Sequence, residues 1–172
     1  MEIQILNWLQ TLHTPILDKI MQLLTHLGDM GIIWIILTIV MLLIPKTRKS
    51  GVIMAAALIL CNVILKNLIA RVRPYDVNTA VQVLVVKPKD FSFPSGHTAA
   101  SFASVTALYL AGEKKLWKPA LALAILIAFS RMYLYVHYPT DILGGVILGS
   151  LSAWIGYQCS KKMFNIFQVE RP

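Results

Sequence analysis

Long apolar runs separated by short charged clusters set the pattern of this chain. Five such segments, at about 28–45, 49–71, 95–112, 117–137 and 139–160, are bounded by charges or by helix-breaking residues. Each is long enough to cross, or nearly cross, a hydrocarbon core of about 30 Å at a rise of about 1.5 Å per residue. The first and third are the shortest and would rely on flanking residues or local bilayer thinning. The first 27 residues differ. Ile3, Leu6, Leu9, Leu12, Ile16, Leu17, Ile20 and Leu24 are interleaved with Glu2, Gln4, Asn7, Gln10, His13, Asp18 and Lys19, with an interruption at Pro15. This amphipathic spacing predicts helices lying in the membrane interface. The segment lacks the basic start and small-residue cleavage site of a signal peptide. Between the second and third apolar segments runs a polar linker, 72–94. Its stretch Thr79–Val86 is mostly apolar and ends at Lys87-Pro88-Lys89, so it reads either as a flap contacting a lipid tail or as an ordinary surface loop.

Composition agrees with this pattern. Of 172 residues, 57% are hydrophobic and 14% charged, with mean hydropathy +0.67, which argues against a water-soluble monomer and against disorder. The two cysteines, Cys61 and Cys159, lie in apolar runs and read as unpaired packing thiols. The expected fold is all-α: one polytopic membrane helix bundle, 1–172, with 1–27 interfacial, 28–162 a core of about five transmembrane helices, and 72–94 an extracytoplasmic loop. The net charge of +8 in a soluble protein would raise nucleic-acid binding. Here the basic residues form clusters between apolar runs, so membrane partition explains the charge and no nucleic-acid partner is expected. Five crossings place nine Lys and Arg on one side, including Lys46, Arg48, Lys49, Lys114, Lys115, Lys118, Lys161 and Lys162, against seven on the other. Three of those seven belong to a candidate site. The positive-inside rule then puts the carboxyl terminus in the cytoplasm, and the amino terminus and linker outside, as expected of a multi-pass plasma-membrane protein.

Ionisable groups inside apolar segments cost about 2.5–3.5 kcal/mol each on insertion scales, which makes them candidates for function. Lys66 and Arg73 are seven apart and share a helical face before Pro74. They could present two cations to one anion, or could both snorkel; Arg71, off that face, reads as snorkelling. Pro94-Ser95-Gly96-His97 opens the third segment. Ser95 suits an N-cap and Gly96 allows close backbone approach, so the helix start could cradle an anion with His97 at its lip, or could be a plain cap. Ser130-Arg131 closes the fourth segment, and His137 precedes Pro139 and Asp141 at the start of the fifth. Asp141 in a first helical turn could reach back to His137 and fix its tautomer, or the two could seal an interfacial loop.

The combination favours chemistry, because five crossings bring all three clusters to one side. Three cations, a backbone cradle and two histidines suit a phosphoryl group. The cations would neutralise equatorial oxygens while one histidine attacks in line and the other protonates the leaving oxygen. This needs no cofactor, and the sequence offers no obvious metal-binding cluster.

These motifs, K-x6-R-P at 66–74, P-S-G-H at 94–97 and S-R-x5-H-x3-D at 130–141, resemble those of the type 2 phosphatidic acid phosphatase superfamily. That superfamily spans membrane lipid phosphatases, undecaprenyl-diphosphate phosphatases, glucose-6-phosphatase and vanadium haloperoxidases. The resemblance implies that His137 is a nucleophile forming a phosphohistidine, oriented by Asp141. It implies that His97 is general acid and then general base, and that Lys66, Arg73, Ser95, Gly96 and Arg131 hold the phosphate. The family's usual six spans are reduced here. The expected substrate is a lipid phosphate held in the bilayer, first undecaprenyl diphosphate, then phosphatidylglycerophosphate or phosphatidate. A haloperoxidase or a non-catalytic lipid binder or transporter are the other classes.

Overall fold

Helix ends fall where the capping residues put them. A computed structural model describes residues 1–65 and 69–169, with only the backbone at 64–65 and 165–169. The helices are α1 (Glu2–Gln10), α2 (Pro15–Leu27), α3 (Ile32–Leu43), α4 (Arg48–Leu65), the single turn α5 (Pro74–Val77), α6 (Gly96–Leu110), α7 (Trp117–Tyr133) and α8 (Pro139–Val169). Thr14 caps α2 by accepting from the Leu17 amide, and Pro15 sits in its first turn. Ser95 caps α6 through the Thr98 amide. Pro139 starts α8, where the Asp141 carboxylate accepts from the Tyr138 amide at 2.8 Å while the Asp141 amide donates to the Tyr138 carbonyl at 3.0 Å.

The five apolar segments thus carry α3, α4, α6, α7 and α8. The helix α8 is by itself long and apolar enough to cross a membrane, over Pro139–Phe164. The pair formed by α2 and the stretch Asp29–Leu43 meets the same test jointly, bent by 44° at a short break. The amphipathic amino-terminal region and the first apolar segment therefore join at a kink. There Met30 (φ 51°) and Gly31 (φ 70°) turn the chain through left-handed backbone.

The helices α4 and α6 both pack on α8, α7 packs on α6, α3 on α4, and α1 and α2 on α7. Small residues fill these contacts. Ala99, Ala103, Ala107, Ala124 and Ala153 are fully buried, and so are Ser101, Ser104 and Ser152. Ser104 and Ser152 return their hydroxyls to the carbonyls of Ala100 and Leu148, four residues back. Large side chains point outward instead: Ile36, Ile39 and Leu43 on α3, Ile59 and Val63 on α4, and Leu143, Ile147 and Trp154 on α8 are all exposed. Small residues between helices and bulky apolar ones outside is the arrangement helices adopt where lipid, not water, surrounds them.

Close approach of α6 and α8 depends on glycine. A Cβ on Gly149 would overlap the carbonyl oxygen of Ala99, and one on Gly145 would lie 2.8 Å from that of Ser95. Because both obstacles are backbone, neither can move aside. Gly149→Val is expected to lower stability by at least ~1–3 kcal/mol through overpacking, read as a drop in the thermal unfolding midpoint in detergent micelles; an unchanged midpoint would refute this account of the helix contact.

A second cluster organises one end of the bundle. Leu6, Leu9, Met21 and Tyr75 surround the turn from Tyr133 to Tyr138. Tyr135, itself at φ 60°, donates its hydroxyl to Asn7 Oδ1 at 2.6 Å, and Gln10 Nε2 donates to the Tyr133 carbonyl at 3.0 Å. The linker is docked on this cluster. Val81, Val83, Leu84 and Val85 pack against it, Gln22 Nε2 donates to the Leu84 carbonyl, and Tyr75 donates to the Pro88 carbonyl. Much of the stretch singled out for its apolar character is therefore half-buried against the protein, although Val86 stays 93% exposed.

Candidate active site

The starts of α6 and α8 are tied together, since the Ser95 amide donates to the Asp141 carbonyl at 3.1 Å. His137, immediately before α8, is buried. Its Nδ1 lies 2.7 Å from the carbonyl oxygen of Ser92 and 3.5 Å from Asp141 Oδ2. Both neighbours accept, so the proton resides on Nδ1 and Nε2 keeps its lone pair. The hydrogen bond that sets the tautomer thus goes to a backbone carbonyl, and Asp141 adds a charge contact. Asp141 is fully buried and saturated: it also accepts from Ser92 Oγ at 2.5 Å, the Tyr138 amide, and Arg71 Nη1 at 2.7 Å. By gripping Ser92 it holds the carbonyl that holds His137.

Arg71 does not snorkel. Its guanidinium bridges Asp141 to Glu2 on α1 (2.5 Å), donates to Thr140 Oγ1, and stacks 3.8 Å above the Tyr138 ring. The sequence pattern missed this because it continued a helix to Pro74, whereas α4 is described to Leu65 and residues 69–73 are not helical, so Arg71 is free to take acceptors from other elements. Glu2 in turn accepts from the amide and hydroxyl of Thr140. Partial burial works against its charge, but the hydrogen bonds from Thr140 and Arg71 outweigh it and hold the Glu2 carboxyl below its ordinary pKa.

Arg73 and Arg131 are both 4% exposed. Arg73 donates to the Asp90 side chain and to the backbone carbonyls of Asp90, Phe91 and Val136, and its Nη1 comes within 3.4 Å of His137 Nε2. Arg131 Nη1 donates to Thr25 Oγ1 on α2, whereas its Nε–H, buried, has no partner among the described residues. A buried unpaired donor on a cation costs about 1–3 kcal/mol or more, so it marks a place built for an acceptor. Both guanidiniums lie near enough to His97 and His137 to disfavour a charged imidazole, Arg73 most directly through its approach to His137 Nε2.

Ser95 is buried, and its Oγ accepts from the amide and hydroxyl of Thr98, leaving its own hydrogen free to donate. Gly96 is exposed, with nothing within 4 Å of where a Cβ would stand. Beside it, Gly96 and His97 wall a cavity of about 220 Å³ that continues past Leu58, Cys61 and Ile35; His137 is not part of that wall. His97 Nε2 bonds to Asp29 Oδ1 at 2.9 Å, a partner from the α2–α3 break that motif spacing did not flag. Lys66 lies outside the described residues. Among the described residues no three His, Cys, Asp or Glu side chains converge as a metal-ligand set.

This array can bind a tetrahedral oxyanion between two guanidiniums and the start of α6, beside an imidazole nitrogen with a free lone pair. Comparison with known proteins points the same way. The PAP2 superfamily profile matches residues 46–164. The undecaprenyl-diphosphatase of Sulfolobus acidocaldarius is 32% identical over 128 residues, 73% of this chain; the match spans 61% of that protein. Aquifex aeolicus LpxE superposes with TM-score 0.78 at 26% identity, covering 91% of this chain and 94% of that one. A transmembrane PAP2-type phosphatidylglycerolphosphate phosphatase from Bacillus subtilis superposes with TM-score 0.74 at 29% identity, covering 94% and 85%.

Proposed function

The chain belongs to the PAP2 superfamily, and from that membership we propose that it is an integral-membrane phosphatase acting on a lipid phosphate or diphosphate. The observation that carries this reading is the buried Arg73 within 3.4 Å of His137 Nε2, together with a buried Arg131 whose Nε–H has no partner among the described residues. His137 Nε2 attacks phosphorus as the bridging P–O bond breaks, and His97 gives a proton to the leaving oxygen. His97 then takes a proton from water, whose oxygen displaces His137 and releases phosphate. Arg73, Arg131, Ser95, the Gly96 backbone and Lys66 stabilise the equatorial oxygens. Asp141 acts through His137 and Ser92.

Undecaprenyl diphosphate is the preferred substrate, because a relative at 32% identity carries that activity in its name. A phosphatidylglycerophosphate is the second reading, supported by the Bacillus subtilis enzyme that superposes over 94% of this chain. The outward apolar side chains of α3, α4 and α8 support a multi-pass bundle of about five crossings, with the amino-terminal helices in the interface. The basic clusters at 46–49, 114–118 and 161–162 favour the cytoplasmic side, which leaves the site facing outward.

Purified protein incubated with undecaprenyl diphosphate, phosphatidylglycerophosphate and phosphatidate is expected to release inorganic phosphate fastest from the first. The rate should be unchanged by EDTA, since the guanidiniums and imidazoles carry the charge and the protons. Loss of activity in chelator would overturn the metal-free mechanism; a faster rate on phosphatidylglycerophosphate would transfer the assignment to the second reading.

A further inference from the structure

The break between α2 and α3 places a carboxylate against His97. Asp29 Oδ1 lies 2.9 Å from His97 Nε2, and Asp29 Oδ2 lies 2.8 Å from Nδ1 of His26 in the last turn of α2. The side chains grade inward, 64% exposed at His26, 45% at Asp29 and 18% at His97. Two glycines make the contact possible. A Cβ on Gly28 would stand 2.8 Å from His97 Cδ2, so only a bare backbone lets the imidazole lie there, and Gly31 at φ 70° turns the chain into α3 just beyond Asp29. A carboxylate accepts, so Nε2 carries the proton and Nδ1 is the ring nitrogen available to a substrate. The charged groups acting on this imidazole are Asp29 from the break, Arg131 from α7 and Arg73 from the linker, two cations against one anion.

We propose that Asp29 is a positioning residue for the leaving-group step: it fixes His97 through Nε2–H, so that Nδ1 carries the proton that moves, and it offsets the imidazolium charge against the two arginines. The inference rests on the phosphatase reading. In the first half-reaction His137 Nε2 bonds to phosphorus, the bridging P–O bond breaks with its electron pair going to the leaving oxygen, and that oxygen takes the proton from His97 Nδ1. In the second, Nδ1 takes a proton from water while the water oxygen bonds to phosphorus and the P–N bond breaks. Asp29 exchanges no proton and stays ionised throughout, with His26 holding its second oxygen.

Leaving-group dependence separates this role from a structural one. An alkoxide needs protonation to depart, whereas p-nitrophenolate leaves without it. First-turnover product release by the full-length protein in micelles should be measured by rapid mixing with n-octyl phosphate and with p-nitrophenyl phosphate. Asp29→Asn keeps the shape and removes the charge. It is expected to slow release of octanol by about 100-fold, within the range of general acid catalysis, and to slow release of p-nitrophenol by less than about threefold on the same grounds. Asp29→Glu should recover part of the octanol rate. Equal slowing of both substrates, or slowing of neither, would overturn the proposal while leaving the phosphatase reading standing. A wild-type protein inactive on both would overturn the phosphatase reading, and this inference with it.

Discussion

Replacing His137 by Gln is expected to abolish turnover, with a loss on the order of 10⁴-fold or more, as removal of an enzymic nucleophile produces. Glutamine places its side-chain amide near the position of Nε2, so the pocket keeps much of its volume while losing the basic lone pair that Nε2 presents beside Arg73 and the donor that Nδ1 presents to the Ser92 carbonyl. Quenching the wild-type protein with denaturant milliseconds after mixing with radiolabelled substrate should leave phosphate on the chain, stable to base and labile to acid as expected of a phosphoramidate. The variant should carry none. Retention of even a tenth of wild-type activity by His137→Gln would remove His137 from the role of nucleophile.

The second large effect is expected at Arg131. Its guanidinium is buried, anchored by Thr25 at one end and unpaired at Nε, so a bound phosphoryl oxygen is its natural second partner. Arg131→Ala should cost about 10²–10³-fold in kcat/KM, the range seen when one donor to a developing oxyanion is removed. Arg131→Lys restores a charge without the fork of donors and should recover only part of that loss. A thermal unfolding midpoint for the lysine variant close to wild type would show that the deficit belongs to the reaction. Full activity in Arg131→Ala would mean that the unpaired Nε–H is not a phosphate ligand, which would remove the central support for the proposed site.

Several features of this arrangement were legible in advance because they depend on neighbours in sequence. Ser95 caps α6, and Pro139 and Asp141 open α8, through bonds spanning three residues, which local patterns specify. The apolar runs mark α3, α4, α6, α7 and α8, and the pattern change near residue 28 coincides with the break before α3. Motif order led to the expectation that Ser95, His97, Arg131, His137 and Asp141 share one end of the bundle. What local patterns did not carry was the choice of partner. His137 bonds to the Ser92 carbonyl 45 residues away, Arg71 to Asp141 across 70, and Asp29 to His97 across 68. A helix continued to Pro74 would put Arg71 off the face of Lys66 and Arg73, whereas residues 69–73 are not helical, and a carboxylate presented by α8 and another by α1 give Arg71 a different task.

The sequence by itself determined that this protein is helical and rich in long apolar runs, and that the candidate residues for a phosphate-binding, histidine-based chemistry lie near helix ends. Hydropathy, capping and motif spacing act over a few residues and need no knowledge of the fold. Tertiary structure alone decided which donor meets which acceptor, that Arg131 keeps one N–H without a partner among the described residues, and that Gly28 and Gly149 are required for close approach. Those outcomes depend on how helices cross and how near their backbones come, and atoms brought together by packing leave no periodic trace in the chain.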